Sequence, residues 1–457
     1  MAGNKNAGSF RDPSGFVFSE NGKIYRQVNK SYQKEYDKLM SSGLYKELTK
    51  KGLLVKHKEI NYPAAGKEAY KVIQPEKINF ISYPYEWSFS QLKDAALLTL
   101  KIQKIATKRG MSLKDASAYN IQFRGSKPIF IDTLSFEIAD KPKPWVAYKQ
   151  YCQHFLAPLS IMAHTNIELS KLLRTNIDGI PLDLASRLLP KRTRINFGLV
   201  THIHMHARSQ KRHASSAKSN VKTRTISNNA LQGIINNLIS TTRKLNWKQD
   251  KTEWGEYYTF TNYNDKSFKT KKKIIEQFID KTKPKSVWDL GANNGLFSRI
   301  ASGKGIATIA FDIDPIAVEA NYIKTKEDND ENITPILMDL TNPSPALGWA
   351  HTERESMQQR SPADMVFSLA LIHHLAISNN LPLRSIADYF AGLGKYLVME
   401  FVPKGDSQVN ILLSTREDIF PNYTEEGFEK AFKTRYTVVQ KEKIKGSKRT
   451  LYLLRRK

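Results

Sequence analysis

Six residues between positions 289 and 339 have the types and the spacing to hold a small charged ligand. In "SVWDLGANNGLFSRIAS" (Ser286 to Ser302) an apolar run ends at the carboxylate of Asp289, and Gly291 and Gly295 follow before helix-forming residues begin. Gly291 permits a tight turn out of a strand, and Gly295 lets backbone come close to a ligand. A diphosphate is a poor match, because Asp289 would repel it and Asn293 breaks the G-x-G-x-x-G fingerprint. A cation suits this turn. Asn293 is compatible with it, because Asn tolerates left-handed backbone. Twenty-three residues past Asp289, Asp312 closes "IATIAFDID", where a carboxylate can accept hydrogen bonds from two ribose hydroxyls. Asp339 closes "ITPILMDL", in reach of an adenine edge.

Further along, "LIHHLA" places His373 and His374 at the mouth of such a site. Either can deprotonate a hydroxyl near neutral pH, or both only shape the pocket. Glu400 in "MEFVPKGD" is a second candidate base, and Lys404 suits an anionic acceptor. Upstream, the aromatics of "EWGEYYTFTNYND" (Glu253 to Asp265) serve either as a lid or as packing.

The elements that position these residues alternate. "SVWDL", "IATIAFDID", "ITPILMDL", "ADMVFSLAL" and "YLVMEFV" read as strands, separated by helices such as "PIAVEANYIKTKE" and "SIADYFAGLG". "YTVVQKEKIKGSKRTLYLLRRK" reads as two more strands joined near Gly446. Repeated strand–helix units predict an α/β domain, a mostly parallel sheet covered on both faces with an antiparallel final strand. Ligands of such sheets bind outside the carboxyl ends of the strands.

With these motifs in order, the region resembles the class I S-adenosylmethionine-dependent methyltransferases, whose Rossmann-like fold it would share. "VWDLGANNG", "IAFDID", "ILMDL" and "ADMVFSLALIHHL" look like that family's first four motifs. The resemblance implies S-adenosyl-L-methionine as cofactor, with Asp289 at its methionine end, Gly291, Asn293 and Gly295 along its backbone, and Asp312 at the ribose. It also implies Asp339 at the adenine, with Ile313, Leu340 and Leu369 beside them. "DLTNPSPALGW", "LAISNNLPL" and "EFVPKGDSQVNILLSTREDIFPNYTEEGFE" are similar to a branch that includes proteins linked to host-specific nodulation in rhizobia, where surface or signalling glycans are modified. That favours a glycan-type acceptor.

The N-terminal half reads differently. "GFVFSENGKIYRQVN" is a hairpin with "ENG" as its turn, and "SFSQLKDAALLTLKIQKIATKRG" is a long helix. In "SLKDASAYNIQFRGSKPIFIDTLSFE", Asp115 and Asn120 are five apart and a short hairpin delivers Asp132. This order resembles the protein-kinase-like and aminoglycoside-phosphotransferase-like fold. The resemblance implies Asp115 as catalytic acid–base residue, Asn120 and Asp132 as metal ligands, and Mg2+ and ATP as cofactors. Arg26 and Glu35 fall where a phosphate-binding Lys and its Glu partner belong. The sequence departs from that pattern: it lacks a Gly-rich phosphate loop, Arg26 replaces the Lys, and "DTL" stands where a glycine follows the metal-binding Asp. The alternative is a module in which Asn120 and Asp132 cap turns. If kinase-like, the chain resembles bifunctional kinase–methyltransferases of bacterial polysaccharides with the domains in the opposite order.

Composition sets the outer limits. At 457 residues the chain exceeds one ordinary core, and it is 40% hydrophobic and 25% charged, as globular proteins are. The expected division is an α+β kinase-like module over 1–189, a basic helical connector over 190–252 and the methyltransferase domain over 253–457. The net charge of +27 implies attraction to nucleic acid, a membrane surface or an anionic acceptor. Between Pro190 and Asp250, twelve Lys/Arg face one acid. No apolar run approaches the roughly 20 residues that span a bilayer. One cysteine, Cys152, and no visible export signal point to the cytoplasm. In "THIHMHARSQKRH", His202, His204 and His206 would share a face only on a strand, so a basic helix is expected rather than a metal site. The rival functions are an RNA methyltransferase gripping phosphates with the basic segment, and a non-catalytic scaffold.

Overall fold

Seven segments become strands of one sheet, and the central parallel ones are buried on both faces. They are β1 (Ser286–Leu290), β2 (Ala307–Asp312), β3 (Ile333–Leu337), β4 (Ala363–Ser368), β5 (Gly394–Phe401), β6 (Tyr436–Lys443) and β7 (Thr450–Arg456). Their spatial order is β3-β2-β1-β4-β5-β7-β6. β1 to β5 are parallel, and β7 runs antiparallel between β5 and β6. The mostly parallel polarity and the antiparallel final strand match the expectation. One edge strand, β3, contains Pro335, and the other, β6, is bulged between Val438 and Gln440.

The helix Asp265–Thr282 turns Ile274, Ile275, Phe278 and Ile279 onto the sheet, against Val287, Met365, Phe367, Val398 and Leu453. These fully apolar contacts fix β1 at the sheet centre, and with it the turn that carries Asp289. The helix Pro315–Glu327 starts one turn past Asp312, and its N-cap Asp314 accepts from the Ile316 N–H at 2.8 Å. That cap satisfies an otherwise orphaned donor and pins the Asp312 loop.

The computed structural model describes residues 4–62, 66–139, 143–208, 226–248, 265–414 and 416–457. The sheet just described lies in one compact unit, 250–347 with 355–457; the other is 1–249 with 348–354. The latter begins with a five-stranded antiparallel sheet in the order Asn4–Lys5, Gly15–Glu20, Lys23–Asn29, Ala69–Pro75, His57–Ile60. Its first hairpin turns on Asn21 (φ 50°) and Gly22 (φ 72°), the left-handed pair that a two-residue turn requires. The long helix Phe89–Lys108 opens with a Ser88/Gln91 capping box.

The segment expected to be a connector supplies much of this unit's helical part. Helix Asn228–Lys244 lies along Phe89–Lys108, with Gln232 Nε2 on Thr107 Oγ1 and Lys104 Nζ on Asn236 Oδ1, each at 2.8 Å. His202 and His204 lie on helical turns, as expected, but inside: His202 bonds Tyr148 Oη at 2.6 Å and Asn237 Oδ1 at 2.7 Å. Among the described residues no three His, Cys, Asp or Glu side chains are grouped to hold a metal ion. No described helix is long and apolar enough to cross a membrane.

Candidate functional site

A cavity of about 420 Å³ opens at the carboxyl ends of β1 to β4, a size suited to a nucleoside-like cofactor. Eight of the nine residues expected to contact a cofactor line it: Asp289, Gly291, Asn293, Asp312, Ile313, Asp339, Leu340 and Leu369.

Asp289 is 1% exposed. Its Oδ2 accepts from Ser298 Oγ at 2.6 Å, while its Oδ1 has no hydrogen-bond partner at all. A buried carboxylate oxygen left unpaired costs free energy unless something cationic arrives. Burial pushes the Asp289 pKa up to about 7, and the neighbouring charge of Asp312 adds to the rise. Asp312, half-buried, is aimed by two backbone donors, Asn293 N–H at 2.6 Å and Asp314 N–H at 2.9 Å. Its pKa is also raised by burial, to about 6. Gly291 (φ 75°) and Asn293 (φ 51°) both adopt left-handed backbone, with the Gly291 N–H donated to the Phe311 carbonyl at 2.9 Å and the Asn293 N–H to Asp312. Ala370 (φ 51°), on the opposite wall, holds the same conformation without glycine's freedom, at a cost of about 1 kcal/mol. Asp339 receives Thr341 N–H and Oγ1 at 2.8 and 2.6 Å. Ile313, 57% exposed, and Met338 add apolar wall.

The orphaned oxygen, the paired-acceptor carboxylate of Asp312 and the apolar walls fit S-adenosyl-L-methionine. Its methionine ammonium suits Asp289 and its ribose suits Asp312.

Four expectations change. Gly295 (φ 78°) does not line the cavity: a Cβ there would meet Asn321 at 2.4 Å and Arg299 at 2.6 Å, so it serves close packing of the helix Ser298–Ser302 on Pro315–Glu327. His374 lines the cavity, whereas His373 is fully buried behind it, with both ring nitrogens unbonded. Burial lowers both histidines, His374 to about 4 and His373 well below its usual value, so neither is cationic at neutral pH. Glu400, 0% exposed, does not reach the cavity; it is held by Lys271 Nζ at 2.6 Å and Arg449 Nη1 at 3.4 Å. Lys404 is tied to Asp418 at 2.7 Å. The aromatic stretch 253–264 lies outside the described residues.

Sequence reasoning missed Lys271. It lines the cavity at 2% exposure, with its ammonium 4.2 Å from the Phe297 ring centroid and bonded to Glu400. The signal was positional: Phe268, Lys271, Ile275 and Phe278 share one helical stripe.

The N-terminal acidic residues do come together. Asn120 Nδ2 donates to Ser135 Oγ at 3.2 Å, and Ser135 Oγ donates to Asp132 Oδ2. Burial raises the Asp115 pKa, and the Asp132 charge contributes. Yet Asp132 Oδ1 is already paired with Arg26 Nη1 at 2.8 Å and accepts Leu134 N–H at 3.0 Å. Arg26 also reaches Asp12 at 3.1 Å, and does not pair with Glu35. A guanidinium therefore stands where Mg2+ would bind, and these residues do not fit Mg2+ and ATP.

With the geometry in hand, comparison with known proteins is informative. The nodulation protein NoeA of Rhizobium meliloti (strain 1021) is 35% identical over 459 residues, covering 98% of this chain and 96% of NoeA. The chain belongs to the NoeA family. No family model matches it. Among solved structures, the N-methyltransferase NodS from Bradyrhizobium japonicum WM9 covers 42% of this chain and 98% of its own at 13% identity and TM-score 0.31. The bifunctional kinase-methyltransferase WbdD covers 42% and 40% at 14% identity and TM-score 0.30. Both likenesses are too distant to carry an argument, and the site rests on its own geometry.

Proposed function

We propose that the protein transfers a methyl group from S-adenosyl-L-methionine to a hydroxyl of a glycan or glycan-linked small molecule. The observation that carries this reading is the unpartnered, buried Oδ1 of Asp289 facing a cavity at the carboxyl ends of a methyltransferase-type sheet. The sulfonium supplies an electrophilic methyl, so the protein's task is alignment more than activation. Asp289 takes the ammonium, Asp312 the ribose hydroxyls, Asp339 the adenine edge, and Ile313, Leu340 and Leu369 the flat faces. His374, neutral at working pH, accepts the hydrogen bond of the acceptor hydroxyl and directs its lone pair. As the O–C bond forms and the C–S bond breaks, S-adenosylhomocysteine is the leaving group and the hydroxyl proton passes to bulk water. Its low pKa makes it a better orienter than base.

The acceptor assignment draws on the lining. Ser378, Asn379 and Gln408 offer polar contacts and Leu375, Ile411 and Leu412 apolar ones, a mixture suited to a sugar ring. Membership of the NoeA family places the chain beside a nodulation protein. The Arg26–Asp132 pair speaks against phosphorylation by the N-terminal unit, which we assign to holding the acceptor.

The test is transfer of labelled methyl from S-adenosylmethionine into fractionated cell extract, followed by nuclease, protease and solvent partition. Label travelling with glycan or glycolipid supports the full reading. Label lost to ribonuclease overturns the acceptor but keeps the transferase. No transfer together with no binding of S-adenosylhomocysteine overturns both.

A further inference from the structure

The unit formed by 1–249 and 348–354 holds a second cavity, of about 410 Å³, among the helix Leu182–Leu188, the 3-10 turn Lys191–Ile195 and the helical residues from His204 to Arg208. Four of its lining residues are cations, Arg187, Lys191, Arg194 and Arg208, against one carboxylate, Asp183. That carboxylate is already bonded to Arg187 at 3.0 Å. Lys191, Arg194 and Arg208 have no carboxylate within ion-pair distance among the described residues.

The floor is neutral and rigid. Leu189, Ala207 and His204 are 6%, 6% and 5% exposed. Thr193 donates its hydroxyl proton to the Pro190 carbonyl at 2.7 Å, so its oxygen accepts from His204 Nε2–H at 3.0 Å. That leaves Nδ1 as the acceptor for the Ser186 hydroxyl at 2.8 Å. Both ring nitrogens are thus used, and the imidazole is fixed in one neutral tautomer. Burial and the charges of Arg194 and Arg208 hold its pKa below the usual histidine value.

Three uncompensated cations round a concave wall repel one another, and a bound anion relieves that repulsion. Guanidinium groups present paired N–H donors that match the oxygens of a tetrahedral oxyanion. The walls form a pocket rather than a flat face, which selects a compact ligand over a polymer backbone, and the volume leaves room for more than the oxyanion alone. We propose that this cavity binds a phosphate or sulfate ester carried by a small molecule.

The experiment uses the full chain at constant ionic strength, balanced with chloride. Calorimetry and thermal denaturation are run with inorganic phosphate, inorganic sulfate and glucose 6-phosphate. The variant is Arg194→Gln with Arg208→Gln, both exposed in the folded protein; Lys191→Gln is the substitute should that pair fail to express. Binding of S-adenosylhomocysteine serves as the check on folding, and separates failure here from failure of the methyltransferase reading. The expected result is saturable binding of at least one oxyanion, weakened tenfold or more by the double variant, with the nucleoside unaffected. A preference for glucose 6-phosphate over sulfate assigns a phosphate ester, and the reverse assigns a sulfate ester. Absence of saturable binding, binding indifferent to the double variant, or uptake only of RNA or of anionic vesicles would each overturn the proposal.

Discussion

Each unit of this molecule gathers a cluster of carboxylates, and the two clusters are resolved in opposite ways. At the sheet, Asp289 and Asp312 are drawn out of water while one Asp289 oxygen stays unbonded, and their proton affinities rise to about 7 and about 6. In the N-terminal unit, Asp132 is equally well placed for a cation, but Arg26 supplies it from within the chain. The first cluster leaves an Asp289 oxygen unbonded for a ligand, with the Lys271 ammonium offsetting its charge only in part; the second is closed. An acidic cluster marks a binding site when its charge is not fully compensated by its own protein.

The comparison breaks most easily at Asp289. Asp289→Asn keeps the shape and removes the charge, so S-adenosylhomocysteine affinity should fall by about a hundredfold or more, as losing a buried charge partner costs about 3 kcal/mol or more. The same change should raise the melting temperature of the unligated protein, because a desolvated carboxylate disappears. Unchanged affinity by calorimetry would sink the cofactor assignment.

The closed cluster is probed by Arg26→Ala, expected to cost about 2 kcal/mol, between surface and fully buried pair values. Adding Asp132→Asn should recover most of it in denaturant titrations. Mg2+ with ATP should leave the melting temperature of the unaltered protein where it is, and a saturable rise would reopen phosphotransfer.

The contrast sharpens with pH. An ammonium needs ionised Asp289, so cofactor affinity should weaken about tenfold as pH falls from 7 to 5.5, titrating with a pKa near 7. The contribution of Asp289 to the stability of the unligated protein, read as the difference between the unaltered protein and Asp289→Asn, should run the other way. A carboxyl whose folded pKa lies above its unfolded value favours the folded state at low pH, and that contribution is lost as pH rises from about 4 to 7. Calorimetry and thermal melts across this window read both trends.

The smallest effects belong to the paired histidines. His374→Ala should lower turnover severalfold, and His373→Ala should act through packing on stability more than on turnover. Neither should remove an inflection near pH 6.5, since both rings are already neutral there. Such an inflection, lost in His374→Ala, would restore a general base.

The sheet was legible because β1 to β5 are short apolar runs, and strand–helix alternation leaves few topologies. Asp289, Asp312 and Asp339 followed from their place at strand ends. Lys271 and its hold on Glu400 did not, because their pairing joins residues 129 apart, and a lysine within "KTKKKII" reads as solvated. Gly295 was legible as a required glycine, but its crowding neighbour Asn321 lies on another helix. Asp115, Asn120 and Asp132 could be grouped from spacing, whereas Arg26, on a different strand, carried no sign of its partner. The histidines at 202 and 204 looked basic because sequence does not reveal burial.

The two edge strands bear on how this chain behaves in a crowded solution. A sheet border with free amides invites another strand, and that is how many α/β proteins begin to clump. Here Pro335 removes a donor from one border, while the bulge after Val438 and the charged run Lys441-Glu442-Lys443 spoil the other. The sheet is therefore finished at both sides, and self-association by strand addition is blocked while the parallel centre remains rich in aliphatic residues.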